Sequence, residues 1–421
     1  MKAIYSISAI VLIVCSSFIV TRSNVAKDYN ITNYGAKGDS STNNTKSIQQ
    51  AIDDCSAKGG GTVVVPKGIF ISGAIFLKKG VSLRVDKGGV LKGSMPTQDY
   101  PQVQTRWEGE ERLWTSAFIN ADHTDGITIS GEGTIDGSGD LWLKRDKENG
   151  GARGTPGVRR YPHPRMICIS NSKNVTIKDL HLHNQAVWCL HILYSKDVLV
   201  KNLNISADHD ILSSDGIDVD SSDGVHITQC TIDVNDDCIS IKSGKDADGL
   251  RVNRPSTNIL IDKCHFAYGH GGVAMGSETS GGINHVVVKD CLVDSNNWAP
   301  IRFKTQPSRS GVVEDITYQD ITLHGTRKAF EFDMAWRMVG TVRPPSEVPP
   351  IVRNIKIINV KGDVGTVGDM HGLANSPIRG VVFKNCEITA KTGFILQRVE
   401  DIDLSGLKLT VQNGESIIRK D

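Results

Sequence analysis

The chain has 421 residues, 39% hydrophobic and 23% charged, so it is long enough to bury a large core. Lysine plus arginine (48) and aspartate plus glutamate (47) balance to a formal net charge of +1, which excludes a global field that attracts nucleic acid or an anionic membrane. Glycine is abundant, at 42 residues, and only 6% of residues are aromatic, a composition typical of many tight turns rather than of packed helices.

The amino terminus has the pattern of a secretory signal peptide. Lys2 precedes a single apolar run that ends near Val20, and polar residues follow at once. We predict a signal peptide over residues 1–23, cleaved between Ser23 and Ala26, and therefore a secreted or periplasmic protein. A retained membrane anchor is the alternative, since the run is near the lower length limit for spanning a bilayer. Residues 24–421 are predicted to form one domain.

The first half of the mature chain contains one predicted helix and two interruptions. The segment from Thr45 to Gly61 ends in glycines, and its spacing predicts an amphipathic helix with an apolar face of Ile48, Ala51, Ile52 and Cys55. Strand-like segments follow the helix. Residues 103–115 and 140–165 break their rhythm, and we expect long loops there.

From about residue 170 onward the chain repeats one pattern nine times. An apolar anchor is followed by apolar residues two and five positions later, with a polar pair between the strands. The anchors are Val175, Val198, Val225, Ile259, Val286, Ile316, Ile355, Val381 and Ile402. Two-residue alternation within a repeat of 21–39 residues predicts a parallel β-helix, an all-β solenoid whose first coil is capped by the amino-terminal helix.

The cysteines fit this architecture. Eight remain after removal of Cys15, and none forms a CxxC pair of the kind that indicates zinc. Four stand five residues after an anchor, where other repeats have Leu, Ile or Val: Cys230, Cys264, Cys291 and Cys386. We therefore predict that they pack in the interior as small hydrophobic residues rather than bind a metal.

Counting from the anchors places a group of functional side chains on one arc of consecutive coils. They are Trp188, His191, Asp215, Asp236, Asp237, His270, Arg302 and Lys304, followed by Glu331, Asp333 and Trp336. Residues far apart in sequence would thus line one cleft across the coils. We expect Asp218, Asp220 and Asp223 to be turn and ladder residues instead.

The chemistry of this arc is that of an acid–base site with a place for an anion. Asp215, Asp236 and Asp237 come from adjacent coils and must share protons or bind a cation, because like charges raise one another's pKa. One protonated and two ionised carboxyls fit an inverting glycosidase, in which an acid protonates the leaving oxygen and a base activates water. Arg302 and Lys304 lie two residues apart on one strand face and indicate a carboxylate on the substrate, unless they form an ordinary solvated face.

Four segments resemble, in order, the signature motifs of the polygalacturonase family of pectin-degrading glycoside hydrolases, glycoside hydrolase family 28. They are "SSDGID" (213–218), "NDDCISIKSG" (235–244), "YGHGGVAMGSETSGG" (268–282) and "IRFKT" (301–305), and "YGAKGDSSTNNTKSIQQAIDDC" (34–55) is similar to that family's amino-terminal segment. The resemblance covers essentially the whole mature chain. It implies a right-handed parallel β-helix and inverting hydrolysis without a metal or another cofactor.

The resemblance also implies roles for the acidic residues. Asp236 matches the general acid of the family, and Asp215 and Asp237 match the pair that positions and activates water. His270 matches the histidine that supports the protonation of the acid. With these groups in place, the implied reaction is hydrolysis of α-galacturonosyl linkages in pectic polysaccharides or oligosaccharides.

Substrate binding is implied for four further residues. Arg302 and Lys304 match the pair that holds a galacturonate carboxylate on the leaving-group side. Trp188 and His191, in "NQAVWCLHI", are similar to a family segment that borders the cleft. We expect attack from a chain end, because the two predicted loops could close one end of the cleft.

Three positions depart from the family pattern. Ser213 stands where asparagine is usual, Asn235 where glycine or glutamine is common, and Phe303 where the family has an aliphatic residue. None of these changes removes a candidate catalytic group. They leave open whether the substrate is homogalacturonan, rhamnogalacturonan or xylogalacturonan.

Two other classes of function compete with hydrolysis. A β-helix pectate lyase would use calcium, which paired aspartates can bind, and eliminate rather than hydrolyse. A non-catalytic β-helix would bind carbohydrate only. In each case we expect a monomer with no nucleic-acid partner and, after signal removal, no membrane contact.

Overall fold

The structure, a computed structural model, describes residues 27–149, 162–337 and 343–421, without the side chains of residues 295 and 296. The predicted signal peptide and residues 150–161 of the second predicted loop lie outside these residues. Three strands per coil stack in parallel on the corresponding strands of the next coil, which confirms the predicted β-helix. No helix in the described ranges is long and apolar enough to cross a membrane.

The sheet that carries the candidate site is named the cleft sheet here. Its strands are Ile75–Leu77, Ile119–Asp122, Ile167–Ser170, Leu190–Leu193, Ile217–Asp220 and Ile239–Lys242. It continues into the last residues of six long strands that bend around the corners of the later coils. These are His265–Gly276, Ile283–Lys304, Val312–Asp333, Ile351–His371, Cys386–Gln397 and Leu407–Lys420.

Two further sheets complete each coil. The back sheet contains Asp28–Asn30, Gly61–Val65, Val81–Val85, Thr128–Ser130, Lys173–Lys178, Lys196–Lys201, Asp223–Thr228, Ser256–Asp262, Ile378–Lys384 and Val399–Asp403. The side sheet contains Asp39–Asn43, Gly68–Ser72, Gly89–Gly93, Thr134–Asp136, His181–His183, Asn204–Ser206 and Thr231–Asp233. The long strands continue both sheets.

The polar residues of the repeat make the corners between strands. The residue before each anchor has a positive φ, as at Asn174 (55°), Asp197 (55°) and Asn354 (57°). Asn and Asp tolerate this left-handed region better than other residues that carry a Cβ. Four residues after the anchor a second such corner follows, at Asn202 and Asn359 for example. The repeat therefore encodes the turns as well as the strands.

The core is the inside of the coil. The eight described cysteines are buried free thiols, in agreement with the interior packing predicted for Cys230, Cys264, Cys291 and Cys386. The predicted helix is α1, Thr45–Ala57, and its apolar face is fully buried over the first coils. It ends before Gly59 and Gly60, whose φ values of 93° and 102° are left-handed.

The described parts of the two interruptions contain regular elements where loops were expected. Residues 103–115 form most of an antiparallel hairpin of Gln102–Trp107 and Glu110–Thr115, named the hairpin below. The second interruption begins with a helix, α2, Gly139–Glu148. A third helix, α3, spans Asp246–Val252, and two short 3-10 helices span Ile31–Tyr34 and Thr97–Asp99.

Candidate active site

Three carboxylates meet at the edge of the cleft sheet. Asp236 and Asp237 lie in the turn before Ile239–Lys242, and Asp215 lies just before the neighbouring strand Ile217–Asp220. Oxygen atoms of the three side chains lie within 4.8 Å of one another. Asp215 and Asp237 are almost completely buried, and Asp236 is partly open. The structure thus brings together the three acids that the coil count placed on one arc.

The three carboxylates differ in how they hold protons. Burial, followed by the charges of Asp218 and Asp236, raises the pKa of Asp215 well above its ordinary value. Burial also acts to raise the pKa of Asp236, but the hydrogen bond with His270 and the charge of Lys304 outweigh it and lower that pKa. These opposite directions favour a shared proton on Asp215 over one on Asp236. The expected protonated acid was Asp236.

His270 stands next to Asp236 in the following coil. Its Nδ1 lies 3.3 Å from Asp236 Oδ1, and its backbone N–H donates to the Asp236 carbonyl at 2.9 Å. The ring is well exposed, so it lies at the mouth of the site. His270 therefore contacts the candidate acid, but its hydrogen bond lowers the pKa of Asp236, whereas the resemblance implies support of that acid's protonation.

Arg302 and Lys304 end the long strand Ile283–Lys304 and point from the cleft sheet toward the cluster. Arg302 Nη1 donates to Asp237 Oδ1 at 3.3 Å, and Lys304 Nζ donates to Asp237 Oδ2. The indole of Trp336 covers both cations, with its centroid 4.7 Å from the guanidinium carbon and 5.5 Å from the ammonium. The pair is therefore enclosed rather than a solvated strand face.

Glu331 is the next residue along this row. It pairs with Arg302 across the coils, and its Oε2 accepts from Arg302 Nε at 2.5 Å. Its Oε1 accepts from Lys328 Nζ at 2.7 Å and from Trp298 Nε1 at 3.0 Å. Burial acts to raise its pKa, but Arg302 and Lys328 lower the pKa of Glu331 to about 2.

Sequence reasoning missed a second charged group on the other side of the cluster. Lys242 Nζ lies 3.3 Å from Asp218 Oδ1, 3.8 Å from Asp215 Oδ2 and 3.9 Å from Glu278 Oε1. Burial, opposed by the charge of Lys242, raises the pKa of Asp218 to about 6. The alternation in "ISIKSG" already places Lys242 on the outer face of its strand, which was the available signal.

Trp188 and His191 are both buried beside the hairpin. Trp188 packs against Trp107 of the hairpin at a centroid distance of 4.7 Å, and the Lys242 ammonium lies 4.6 Å from its ring. His191 is fully buried, and its Nδ1 accepts from Arg165 Nη1 at 2.5 Å. The structure therefore places both side chains under the hairpin, not on the open surface of the cleft.

The hairpin covers the cleft floor on the side of the amino-terminal coils, opposite Arg302. Arg106 Nη1 donates to the buried Asp220 Oδ1 at 2.7 Å. At the tip, the carbonyl of Gly109 accepts from the Lys245 N–H at 3.0 Å, and Glu111 pairs with Arg251 at 2.5 Å. These contacts fix the hairpin over the coils at both of its ends.

The carboxylate cluster has enough oxygen atoms to be a candidate metal site. Oxygen ligands at this spacing suit a hard cation such as calcium. Each carboxylate, however, already has a basic side chain beside it: Lys242 at Asp215, His270 at Asp236, and Arg302 with Lys304 at Asp237. A bound cation would have to compete with all of them. The donor set therefore fits a proton-sharing group better than a calcium site.

Comparison with known proteins identifies the family of the chain. The family model of glycosyl hydrolases family 28 matches residues 55–405. The chain is 29% identical to a probable polygalacturonase of Vitis vinifera, over 86% of this chain and 74% of that protein. It is also 29% identical to an endo-polygalacturonase of Pectobacterium carotovorum subsp. carotovorum, over 86% and 88% respectively.

A solved structure supports the same assignment. A hyperthermoactive exopolygalacturonase from Thermotoga maritima superposes with a TM-score of 0.76 and 27% identity, covering 94% of this chain and 92% of that chain. The fold is a right-handed parallel β-helix with an amino-terminal capping helix, as expected. The family match spans most of the chain, so this protein is a glycoside hydrolase that belongs to glycosyl hydrolases family 28.

Proposed function

We propose that the protein is an inverting, exo-acting polygalacturonase that cleaves α-galacturonosyl linkages in pectic polysaccharides or oligosaccharides. The observation that carries this proposal is the contact between the three-carboxylate cluster and the enclosed pair Arg302 and Lys304. The cluster supplies acid–base chemistry, and the pair supplies a place for the carboxylate of a uronic acid. A neutral sugar would make no use of that pair.

In this proposal Asp236 is the general acid, and Asp215 and Asp237 activate the attacking water. Binding of substrate prepares the acid. A galacturonate carboxylate at Lys304 neutralises a charge that helps to keep the pKa of Asp236 low. The proton held at Asp215 then moves to Asp236, and the ionised Asp215 becomes available to take a proton from water. His270 holds Asp236 in place.

Exo action is the reading favoured by the hairpin. A polysaccharide that runs along the cleft from Arg302 past the cluster meets the hairpin at Trp107 and Gly109. A cleft that the hairpin closes at this point admits only the end of a polysaccharide chain. The exopolygalacturonase of T. maritima agrees with this reading, whereas the relative from P. carotovorum is named an endo-enzyme.

The alternative within the same family is hydrolysis of rhamnogalacturonan or xylogalacturonan instead of homogalacturonan. Two of the three family departures are structural: Phe303 stacks on Phe332 in the core at 4.2 Å, and the Asn235 side chain donates to the Ile211 carbonyl at 3.2 Å. Only Ser213 remains as a change with a bearing on sugar preference. We therefore favour homogalacturonan.

Export is part of the proposal. Residues 1–23 act as a cleaved signal peptide, and residues 24–421 form one catalytic domain that meets pectin outside the cytoplasm as a monomer. The apolar run after Lys2 supports this. Intact mass of the protein recovered from the periplasm or medium tests it: loss of about the first 23 residues is expected, and an uncleaved, membrane-bound chain would contradict it.

The central experiment follows products over time from homogalacturonan, rhamnogalacturonan and their oligosaccharides. We expect early monogalacturonate, with inverted anomeric configuration by NMR, from homogalacturonan. Asp236→Asn should lower kcat by about 10²–10⁴-fold, because the leaving oxygen loses its acid. Asp223→Asn, which changes a surface pair with Lys196 on the back sheet, is the matched control.

Three results would reject the hydrolase. An unsaturated, ultraviolet-absorbing product would indicate a lyase, and so would loss of activity with a chelator. Full activity of Asp236→Asn would indicate that the cluster has no part in the reaction. Turnover of rhamnogalacturonan in preference to homogalacturonan would instead correct the substrate.

A further inference from the structure

Arg302 is held on several sides at once. Its Nε donates to Glu331, its Nη1 donates to Asp237 and to the His270 carbonyl, and the face of the guanidinium lies against Trp336. Among the described residues, none accepts a hydrogen bond from Nη2. A guanidinium binds a carboxylate best through two parallel N–H groups. The orientation of Arg302 therefore decides whether an acidic ligand meets that geometry.

Glu331 is the residue that fixes this orientation. Its Oε2 accepts the hydrogen bond from Arg302 Nε. A substrate carboxylate therefore cannot bind at the edge of the guanidinium formed by Nε and Nη2. The substrate carboxylate can then bind only at the end of the guanidinium formed by Nη1 and Nη2. This end is next to the carboxylate cluster, because Nη1 donates to Asp237. Without Glu331, Arg302 could turn and offer either edge.

Glu331 is itself held in place from behind. Lys328 and Trp298 both donate to its second oxygen, and Lys328 also donates to Asp369 Oδ2 at 2.6 Å. The strand register places these side chains side by side, because Arg302, Glu331 and Asp369 are neighbours in one row of the cleft sheet. A buried carboxylate with three donors and a very low exposed fraction has little freedom to move.

We propose that Glu331 is a positioning residue for recognition of the substrate carboxylate: it locks Arg302 so that the Nη1 and Nη2 groups meet the uronic acid on the leaving-group side. This inference rests on the proposed function, since it requires a galacturonate at Arg302. Glu331 touches no reacting atom in this scheme. Its effect reaches the substrate only through Arg302.

The test compares two substrates in wild type and in Glu331→Gln. One is trigalacturonate, and the other is the same trisaccharide methyl-esterified on its leaving-group residues. In the variant we expect KM for the free acid to rise about tenfold or more, as for loss of a hydrogen bond between charged groups, with kcat changed far less. KM for the ester should stay nearly constant, so discrimination between acid and ester collapses.

The same strand offers a matched control. Glu314 pairs with Arg353 of the next coil at 2.7 Å, far from the cleft, and Glu314→Gln should leave both KM values unchanged. If Glu331→Gln does not fold, Trp298→Phe removes a single donor to Glu331 and should raise KM for the free acid more than for the ester.

Two outcomes would overturn the inference. One is an unchanged KM for the free acid in folded Glu331→Gln, and the other is an equal loss for acid and ester, which is what a merely structural role gives. Neither outcome touches the proposed function. That proposal fails separately, if wild type hydrolyses neither trisaccharide.

Discussion

At the residue scale, the two lysines of the cleft floor frame the carboxylate cluster. Lys242 lies beside Asp215, and Lys304, two coils further along the cleft sheet, lies beside Asp237. Buried ion pairs of this kind add little stability, because desolvation offsets most of their attraction. Their stronger effect is on protonation: the charge of Lys242 opposes the burial that raises the pKa of Asp215, and the charge of Lys304 helps to lower the pKa of Asp236. We read both lysines as part of the acid–base equipment.

Lys242→Met should shift the pH profile of the reaction. The pKa of Asp215 is already raised by burial, and the charge of Lys242 opposes that rise. Removing the charge raises this pKa further, so Asp215 loses its proton only at higher pH. In the proposed mechanism the proton held at Asp215 is the one that passes to Asp236, so its loss ends activity at high pH. The basic limb of the kcat/KM profile on oligogalacturonide should therefore move to higher pH.

Lys196→Met is the control for this change, because Lys196 pairs with Asp223 on the surface at 3.1 Å. A thermal melt should accompany both variants, since Lys242 is buried. A basic limb that stays in place, or moves to lower pH, in a folded Lys242→Met would contradict the role given to Asp215.

At the element scale, the coil could be predicted from sequence because its information is local. The apolar anchors give the strands, and residues such as Asn174 and Asp197 give the left-handed corners, so the phase of each repeat places Asp215, Asp236 and Arg302 on one arc. The hairpin had no such signal. Its two strands pair with each other, and its side chains contact distant coils, as Arg106 contacts Asp220. The repeat pattern does not predict these contacts.

The part of the site that was missed depends on the hairpin. Asp218 and Lys242 have the alternation of an exposed strand face, yet both are buried, and Lys242 lies against Trp188, on which Trp107 of the hairpin packs. The same cover explains why Trp188 and His191 lie beneath the surface. The order of protonation in the cluster was hidden for a similar reason, since it depends on the burial of Asp215 and not on spacing.

Loosening the hairpin should change the products. Trp107 stacks between Trp114 and Trp188, and Trp107→Ala removes the centre of that cluster, at a cost of about 3–5 kcal/mol for a buried aromatic. The closed end of the cleft should then open, so that oligogalacturonides longer than one residue appear early. Leu113→Ala, on the exposed side of the same hairpin, is the control.

Chromatography of the earliest products measures this effect. If a folded Trp107→Ala variant still releases only monogalacturonate early, the hairpin does not enforce exo action. The melting temperature of the variant should be recorded beside it, because local opening and global unfolding give different product yields.

At the scale of the whole molecule, each coil contacts only its neighbours. Stability is then close to a sum of coil and interface contributions, and the ends are the weak points. At the amino end α1 covers the first coils with Ile48 and Ile52, while the last strand, Leu407–Lys420, is largely exposed. The candidate site lies in the middle coils, away from both ends. A disturbance at the cap should therefore reach the site only weakly.

Ile52→Ala tests this separation. Ile52 is fully buried, and its truncation should cost about 2–5 kcal/mol at the cap. Hydrogen exchange should accelerate in the coils under α1, at Gly61–Val65 and Val81–Val85, and remain slow in Ile239–Lys242. kcat/KM should stay at the wild-type value, and Gln50→Ala on the exposed face of α1 should change nothing. If hydrogen exchange instead accelerates equally in all coils, the solenoid unfolds as one unit. The cap and the cleft would then have the same free energy of unfolding.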